Sequence, residues 1–151
     1  MKKYLSMAAI GLAALGLVST AQASLTQSGV NFHAYNASEV SLIDYFTSGV
    51  RTLASYTTYV VGSVDYYFKT GGISVYVNGY NPPGTSSPIT VYSFSNVGAQ
   101  LSFQTVTPGA GAYGNWFIGL TQAQAPQFAF VSALVALPPN GGVFYGVTAN
   151  Y

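Results

Sequence analysis

The chain has 151 residues, 15% of them aromatic and only 5% charged, with four Lys or Arg, three Asp or Glu, one His and no Cys. A nucleic-acid interface, or an electrostatic contact with an anionic membrane, needs several Lys or Arg on one face, so this composition argues against both. The lack of Cys excludes disulfides, and the length suits one domain with a single hydrophobic core.

The first 23 residues have the pattern of a bacterial secretory signal peptide. Two lysines follow the initial Met, residues 8–18 form an apolar segment too short to span a bilayer, and Ala21-Gln22-Ala23 supplies the small residues of a cleavage site. We therefore predict a cleaved signal peptide over residues 1–23 and one domain over residues 24–151. The expected location is the periplasm, the cell surface or the extracellular space.

Cleavage at this site would leave a nearly uncharged domain. Two cations and three anions would remain, a net charge of −1 with the histidine neutral. These residues are Arg51, Lys69, Glu39, Asp44 and Asp65. Because so small a charge gives little repulsion between copies, the sequence favours self-association.

Short apolar or alternating segments, separated by Gly and Pro clusters, follow one another through the rest of the chain. This pattern predicts an all-β fold with eight or nine strands, a single antiparallel β-sandwich with Ig-like or jelly-roll-like topology. The segments predicted as strands are 30–35, 42–46, 51–61 with an extension to 68, 73–80, 89–95, 99–106, 116–120, 128–137 and 143–151. Residues 36–46 have a second interpretation, a short helical turn capped by Asn36 or Ser38.

The chain ends on an alternating segment, in which five apolar or aromatic residues are expected to share one face of a strand. They are Val143, Tyr145, Val147, Ala149 and Tyr151. Such a strand could close a soluble sandwich, complete the sheet of a neighbouring subunit, or serve as the insertion signal of a small outer-membrane barrel. Several other segments are too short or too often interrupted by Gly and Pro to cross an apolar band of about 25 Å, which favours the closing strand over the barrel.

Five segments resemble a group of small uncharacterised exported bacterial β-sandwich proteins for which no activity is known. They are G-V-x-F-H-A-Y-N-A-S from Gly29, I-D-Y-F-T-S-G-V-R from Ile43, V-Y-V-N-G-Y-N from Val75, V-Y-S-F from Val91 and A-L-P-P-N-G-G-V-F-Y-G-V-T from Ala136. The resemblance implies an exported β-sandwich and no particular activity. Relatives of this type often carry a cysteine pair. The matching positions here are Phe32 and Gly62, which implies a large side chain packed against a glycine instead of a disulfide.

The sequence contains no motif with catalytic chemistry. His33 is the only histidine, and no G-x-S-x-G nucleophile elbow accompanies it. Glu39, Asp44 and Asp65 could supply a glycosidase pair or a weak calcium site, but the sequence has no D-x-D-x-D-G loop. Pairing of Asp44 with Arg51 across the turn between them is the favoured interpretation. We predict no catalytic residue, no metal site and no cofactor.

Aromatic residues in or beside the predicted turns are the one abundant type with functional potential. The flat apolar face of an aromatic ring can stack on a sugar, and Tyr and Trp add a polar edge. The candidate ligand-binding residues, for an extracellular glycan, are Tyr66, Tyr67, Tyr80, Tyr113 and Trp116. The alternative is that most of these rings pack in the core or at its rim.

Together these observations predict a non-catalytic secreted or cell-surface structural or interaction protein, one that self-associates as a homo-oligomer and is not an enzyme. The first alternative is a small glycan-binding module that uses loop aromatics, and the second is a small outer-membrane β-barrel. The expected partner is a second copy or an extracellular glycan. Nucleic acid is not expected as a partner, and integration into a membrane is not expected.

Overall fold

Two antiparallel sheets pack face to face in the computed structural model, which describes residues 24–64 and 72–150. The predicted signal peptide lies outside the described residues. Within them, no helix is both long enough and apolar enough to cross a membrane. The prediction of an antiparallel β-sandwich is confirmed.

Eleven strands and two short 3-10 helices form the described chain, more strands than the eight or nine predicted. The strands are β1 (Ser24–Ser28), β2 (His33–Ala34), β3 (Ile43–Phe46), β4 (Gly49–Thr52), β5 (Thr58–Ser63), β6 (Ile73–Tyr80), β7 (Ile89–Phe94), β8 (Gln100–Val106), β9 (Tyr113–Leu120), β10 (Phe130–Leu137) and β11 (Val143–Asn150). The 3-10 helices are Gly29–Asn31 and Ala37–Leu42.

The strand order is that of a jelly roll. The first sheet runs β3-β4-β11-β6-β9, with β1 also paired to β11, and the second runs β2-β5-β10-β7-β8. From β4 onward the chain crosses between the sheets at nearly every connection, as two interleaved Greek keys require. Both strand orders are open and end in edge strands, so the described strands do not form the closed barrel that was the second alternative.

The N-terminal part of the domain differs from the prediction. The predicted strand 30–35 is occupied largely by a 3-10 helix and the two-residue strand β2, while the preceding polar segment forms β1 along β11. Strand pairing uses backbone groups, so it does not need large apolar side chains. The hydroxyls of Thr26 and Thr148 add a cross-strand hydrogen bond of 3.1 Å. The predicted strand 51–61 is divided between β4 and β5, which lie in different sheets.

Small branched side chains from alternate positions fill the space between the sheets. Every second residue of β6 and of β7 is buried, as the two-residue repeat of a half-buried strand requires. Phe32 and Phe144 are the largest fully buried side chains of the described residues, and their rings meet edge to face with centroids 4.7 Å apart. Other members of the core include Val60, Val75, Val77, Val91, Val131 and Val147.

The final strand lies inside the first sheet and contains a bulge. β11 pairs with β6 on one side and with β4 and β1 on the other, so it closes the sandwich and is not a free edge. Its register with β6 shifts between Phe144 and Gly146. Phe144 is therefore buried and Tyr145 is 37% exposed, while Val147 and Ala149 are buried again. The predicted single face is wrong in its first half, because strict alternation does not anticipate the extra residue of a bulge.

Candidate functional site

Of the five aromatic residues predicted to bind a ligand, the structure brings two together. Tyr80 ends β6 and Tyr113 begins β9, and they are direct partners in the antiparallel register. Their rings are stacked, with centroids 4.2 Å apart and an interplanar angle of 24°. Tyr66 and Tyr67 lie outside the described residues.

Trp116 lies on the opposite face of β9 from Tyr113. Successive side chains of a strand point to opposite faces, so residues three positions apart do not share one. Trp116 is half-buried against the core, where a Cβ atom at Gly79 would lie 2.9 Å from Cζ3 of the indole. The indole also lines a cavity of about 20 Å³ with Asn81 and Phe144, room for no more than one water. Trp116 therefore belongs to the rim of the core and not to the surface that carries the tyrosines.

The outer face of β6 and β9 carries three successive cross-strand pairs, which we term the aromatic ladder. The pairs are Tyr76 with Phe117, Asn78 with Asn115, and Tyr80 with Tyr113. The first pair has ring centroids 5.4 Å apart and an interplanar angle of 48°. The two aromatic pairs are about 14 Å apart along the strands, since an antiparallel strand rises roughly 3.4 Å per residue. The ladder thus has an aromatic pair at each end and an asparagine pair between them.

Sequence reasoning missed Tyr76 and Phe117, although a signal for both is present. The segments Y-V-N-G-Y at 76–80 and Y-G-N-W-F at 113–117 share the pattern aromatic-x-Asn-x-aromatic. When the asparagines of two such strands are opposite each other, the aromatic residues are opposite each other as well. Proximity to turns, the criterion applied to the sequence, finds only the members at the strand ends.

The ladder residues on β9 are the more accessible ones, because β9 is the last strand of its sheet. Tyr113 is 73% exposed and Phe117 is 54% exposed, whereas Tyr76 and Tyr80 are half-buried. Stacking covers the facing sides of Tyr80 and Tyr113, so the open ring face of this pair is the one on the Tyr113 side. The exposed amide of Asn115 can both donate and accept hydrogen bonds beside it.

The outer face of the second sheet also carries exposed aromatic rings. Tyr92 lies near its centre, with the rings of Phe94 and Phe103 at 6.1 and 6.0 Å. Phe103 is 55% exposed and Phe130 is 63% exposed. A shallow depression of about 270 Å³ is lined by Tyr35, Val61, Tyr92, Phe94, Gln100, Ser132 and Leu134. The solvent face of an antiparallel sheet is commonly polar, so the composition of this face points to contact with a partner.

The charged residues of the described chain lie at one side of the sandwich. Asp44 and Arg51 are opposite partners on β3 and β4, and Nε of Arg51 donates to Oδ2 of Asp44 at 2.8 Å, which confirms the predicted pairing. The Arg51 guanidinium also lies 5.6 Å from the centroid of the Phe46 ring. Glu39 is in the 3-10 helix just before β3. Residues 72–150 contain no Asp, Glu, Lys, Arg or His.

The arrangement of titratable groups offers no constellation for acid–base chemistry in the described chain. His33 is exposed on β2 in the second sheet, whereas Asp44 lies in the first sheet and is paired with Arg51. No group of three His, Asp or Glu side chains among residues 24–64 and 72–150 could hold a metal ion. What this part of the chain presents to a partner is aromatic and amide surface.

No family model and no curated protein matches the chain. Solved structures of infectious bursal disease virus are similar to it. A protein of the viral particle has 11% identity and a TM-score of 0.43, over 85% of this chain and 30% of that one. The VP2 subviral particle has 13% identity and a TM-score of 0.43, over 86% of this chain and 32% of that one. The structure of the Gx strain has 14% identity and a TM-score of 0.41, over 86% of this chain and 32% of that one. The chain thus spans about a third of the length of these proteins.

Proposed function

We propose that the protein is a non-catalytic secreted or cell-surface structural protein that acts by associating with copies of itself. The observation that carries the proposal is the composition of residues 72–150, which hold no charged side chain yet expose aromatic rings on the outer faces of both sheets. Contiguous exposed apolar surface marks a site of interaction in soluble proteins. Here it occurs on two faces of one small domain, which suits repeated contact between copies.

A second copy fits these surfaces better than a charged partner does. Recognition of nucleic acid or of an anionic membrane requires cations, and residues 72–150 supply none. Two copies approaching through this part of the chain meet no like charges, so electrostatic repulsion does not oppose their contact. Association should therefore be driven by burial of aromatic surface and should depend little on salt.

The test is expression of the full chain in a Gram-negative host, followed by cell fractionation and sizing. We expect a mature protein that begins at Ser24, found in the periplasm or the medium. Its weight-average mass, from light scattering, should rise with protein concentration and stay the same at low and high salt. A strict monomer at the highest attainable concentration would overturn the proposal, and retention of the intact N-terminus in the cytoplasm would overturn the secreted location.

The aromatic ladder supports a second candidate function, a glycan-binding module. The open ring face of Tyr113 and the neighbouring amide of Asn115 are the combination that binds a sugar by stacking and hydrogen bonding. Calorimetric titration with a panel of soluble polysaccharides tests it, comparing the native protein with Tyr113→Ala and with Tyr56→Ala. Tyr56 is 51% exposed but lies away from the ladder, between β4 and β5. Binding that Tyr113→Ala abolishes and Tyr56→Ala preserves would support this candidate, and absence of binding across the panel would remove it.

A further inference from the structure

β9 offers the longest regular free edge in the described chain. It pairs with β6 over all eight residues without a register shift, and no described strand pairs with its other side. β8 lies beside it across the sandwich but belongs to the other sheet, and its own register shifts near its start. The edge strands at the opposite side, β2 and β3, have only two and four residues.

The edge of β9 carries none of the features that usually prevent strands from pairing between molecules. Natural sheets block their edges with charged side chains, prolines, bulges or very short strands. The segment Y-G-N-W-F-I-G-L has no charge and no proline, and its ladder with β6 is regular. An edge of this kind is suited to accept another strand.

We propose that β9 of one copy pairs antiparallel with β9 of a second copy, about a two-fold axis that passes through Asn115. This inference rests on the self-association proposed above and names the surface that mediates it. The pairing would place Asn115 opposite Asn115 of the second copy, and Tyr113 opposite Phe117 of the second copy. It would join two six-stranded sheets into one continuous sheet.

The pattern of β9 is the same in both chain directions, which favours a second copy as the partner. A two-fold interface brings the same surface of both molecules together, so it must be complementary to itself. On the outer face, Tyr113, Asn115 and Phe117 form the order aromatic–amide–aromatic, which is unchanged by reversal. Across the axis, aromatic residues of the ladder would therefore lie beside aromatic residues of the second copy, and Asn115 would lie beside Asn115.

The residues on the inner face of β9 are also compatible with the two-fold axis. Gly114 and Trp116 flank Asn115, so the two-fold places the glycine of each copy opposite the indole of the other. The smallest residue then lies opposite the largest, so two bulky side chains do not meet across the axis. An unrelated extended peptide could also pair with this edge, but it would give no reason for a pattern that is symmetric about Asn115.

Charge also permits this pairing. A charged side chain near a two-fold axis would face its own copy, and like charges directly opposite each other destabilise a sheet. The charged residues of the described part of the first sheet lie on β3 and β4, separated from β9 by β11 and β6.

The test is a charge exchange at the axis. Asn115→Lys and Asn115→Asp each place like charges opposite each other, so each variant alone should dimerise about five-fold more weakly in sedimentation velocity. An equal mixture of the two should regain the dimer, because the charges across the axis then have opposite sign. Asn96→Lys, in the exposed turn between β7 and β8, is the matched control and should behave as the native protein. Circular dichroism should show that all variants remain folded.

The outcomes separate this inference from the proposed function. A monomeric native protein would overturn the self-association itself. A native protein that associates, with single variants that associate equally well, would overturn the β9 interface and leave self-association standing. Loss of association in the single variants without recovery in the mixture would overturn the axis at Asn115.

A second measurement does not depend on weakening the interface. Opposite residues of an antiparallel pair have Cα atoms about 4.5–5.5 Å apart, within disulfide range. Since the chain has no cysteine, Asn115→Cys should form a covalent dimer on mild oxidation while Asn96→Cys does not. Equal crosslinking of both variants would contradict the proposed register.

Discussion

The ring of Phe32 lies directly over Gly62. The two positions adjoin the His33–Val61 pair of the β2–β5 ladder, and a Cβ atom at Gly62 would lie only 2.7 Å from ring carbon Cγ. Phe32 is fully buried, and its ring also contacts Phe144. The expected packing of a large side chain against a glycine at these two positions is therefore present.

Gly62→Ala should destabilise the domain, because the added methyl group would force the buried ring of Phe32 to shift. Overpacking of this kind costs about 1–3 kcal/mol, and urea unfolding followed by tyrosine fluorescence measures it. Gly109→Ala is the matched control, since a Cβ there would have no atom within 4 Å. Equal unfolding midpoints for the two variants would show that the ring can move away without cost.

The paired substitution Phe32→Cys with Gly62→Cys should form a disulfide. The positions are the next ones along the register set by the His33–Val61 and Ala34–Val60 pairs, and opposite residues of an antiparallel pair lie within disulfide range. The bond would close a loop of about 30 residues, which stabilises by roughly 3–4 kcal/mol in the chain-entropy estimate. The oxidised variant should therefore melt well above its reduced form, although both lose the packing of Phe32. Free thiols persisting after oxidation, by titration, would contradict the geometry.

The sequence predicted the class of fold because that depends on periodicity and turn residues. The segments 73–80 and 89–95, both predicted as strands, form β6 and β7, and every second residue of each is buried. Two features of the fold could not be predicted from periodicity or turn residues. β1 is a polar segment held by backbone pairing to β11, and the bulge before Gly146 inserts one residue into an alternating strand. Neither has a hydrophobic signature of its own.

The sequence identified only some residues of the aromatic ladder, because it selected aromatic residues by their closeness to turns. Tyr80 and Tyr113 lie beside turns and proved to be neighbours. Trp116 lies near the same turn, but it faces the core because it is three residues from Tyr113 and side chains alternate along a strand. The shared pattern aromatic-x-Asn-x-aromatic marks Tyr76 and Phe117 as candidates, but only the strand order, in which β9 lies next to β6, makes them a pair.

Asn81 should be the most sensitive polar residue beside the ladder, because it joins the loop after β6 to the loop before β9. Its Nδ2 donates to the carbonyl oxygens of Thr85, Pro108 and Gly109 at 3.0, 3.1 and 3.0 Å, and its Oδ1 accepts from the Thr85 hydroxyl at 2.8 Å. The residue is 2% exposed. Asn81→Ala would remove four hydrogen bonds and leave the buried Pro108 carbonyl without a donor, so we expect a loss of about 3 kcal/mol in the free energy of unfolding.

The control for this substitution is Asn96→Ala, at an exposed position of the β7–β8 turn. A surface change of this kind usually alters stability by no more than about 0.5 kcal/mol. Both variants are compared by urea unfolding under the same conditions. If Asn81→Ala were as mild as the control, the two loops would be held by their backbone contact, Asn81 N–H to the Ala112 carbonyl, without help from the side chain.

Thr58→Val should make the protein more stable. The Thr58 hydroxyl is fully buried and has no hydrogen-bond partner among the described residues, so folding removes it from water without replacing the lost bonds. Valine keeps the branched shape and lacks the polar atom, and we expect a gain of about 1 kcal/mol.

Removing the hydroxyl of Ser93 should instead lower the stability. Ser93 is equally buried, but its hydroxyl donates to the Gln124 carbonyl at 2.5 Å. Ser93→Ala should cost about 1 kcal/mol, because the carbonyl loses its donor. Thermal unfolding of both variants beside the native protein measures the pair. A loss of stability in Thr58→Val would mean that a bound water satisfies the hydroxyl in solution, since a water can occupy a buried site only where polar partners hold it.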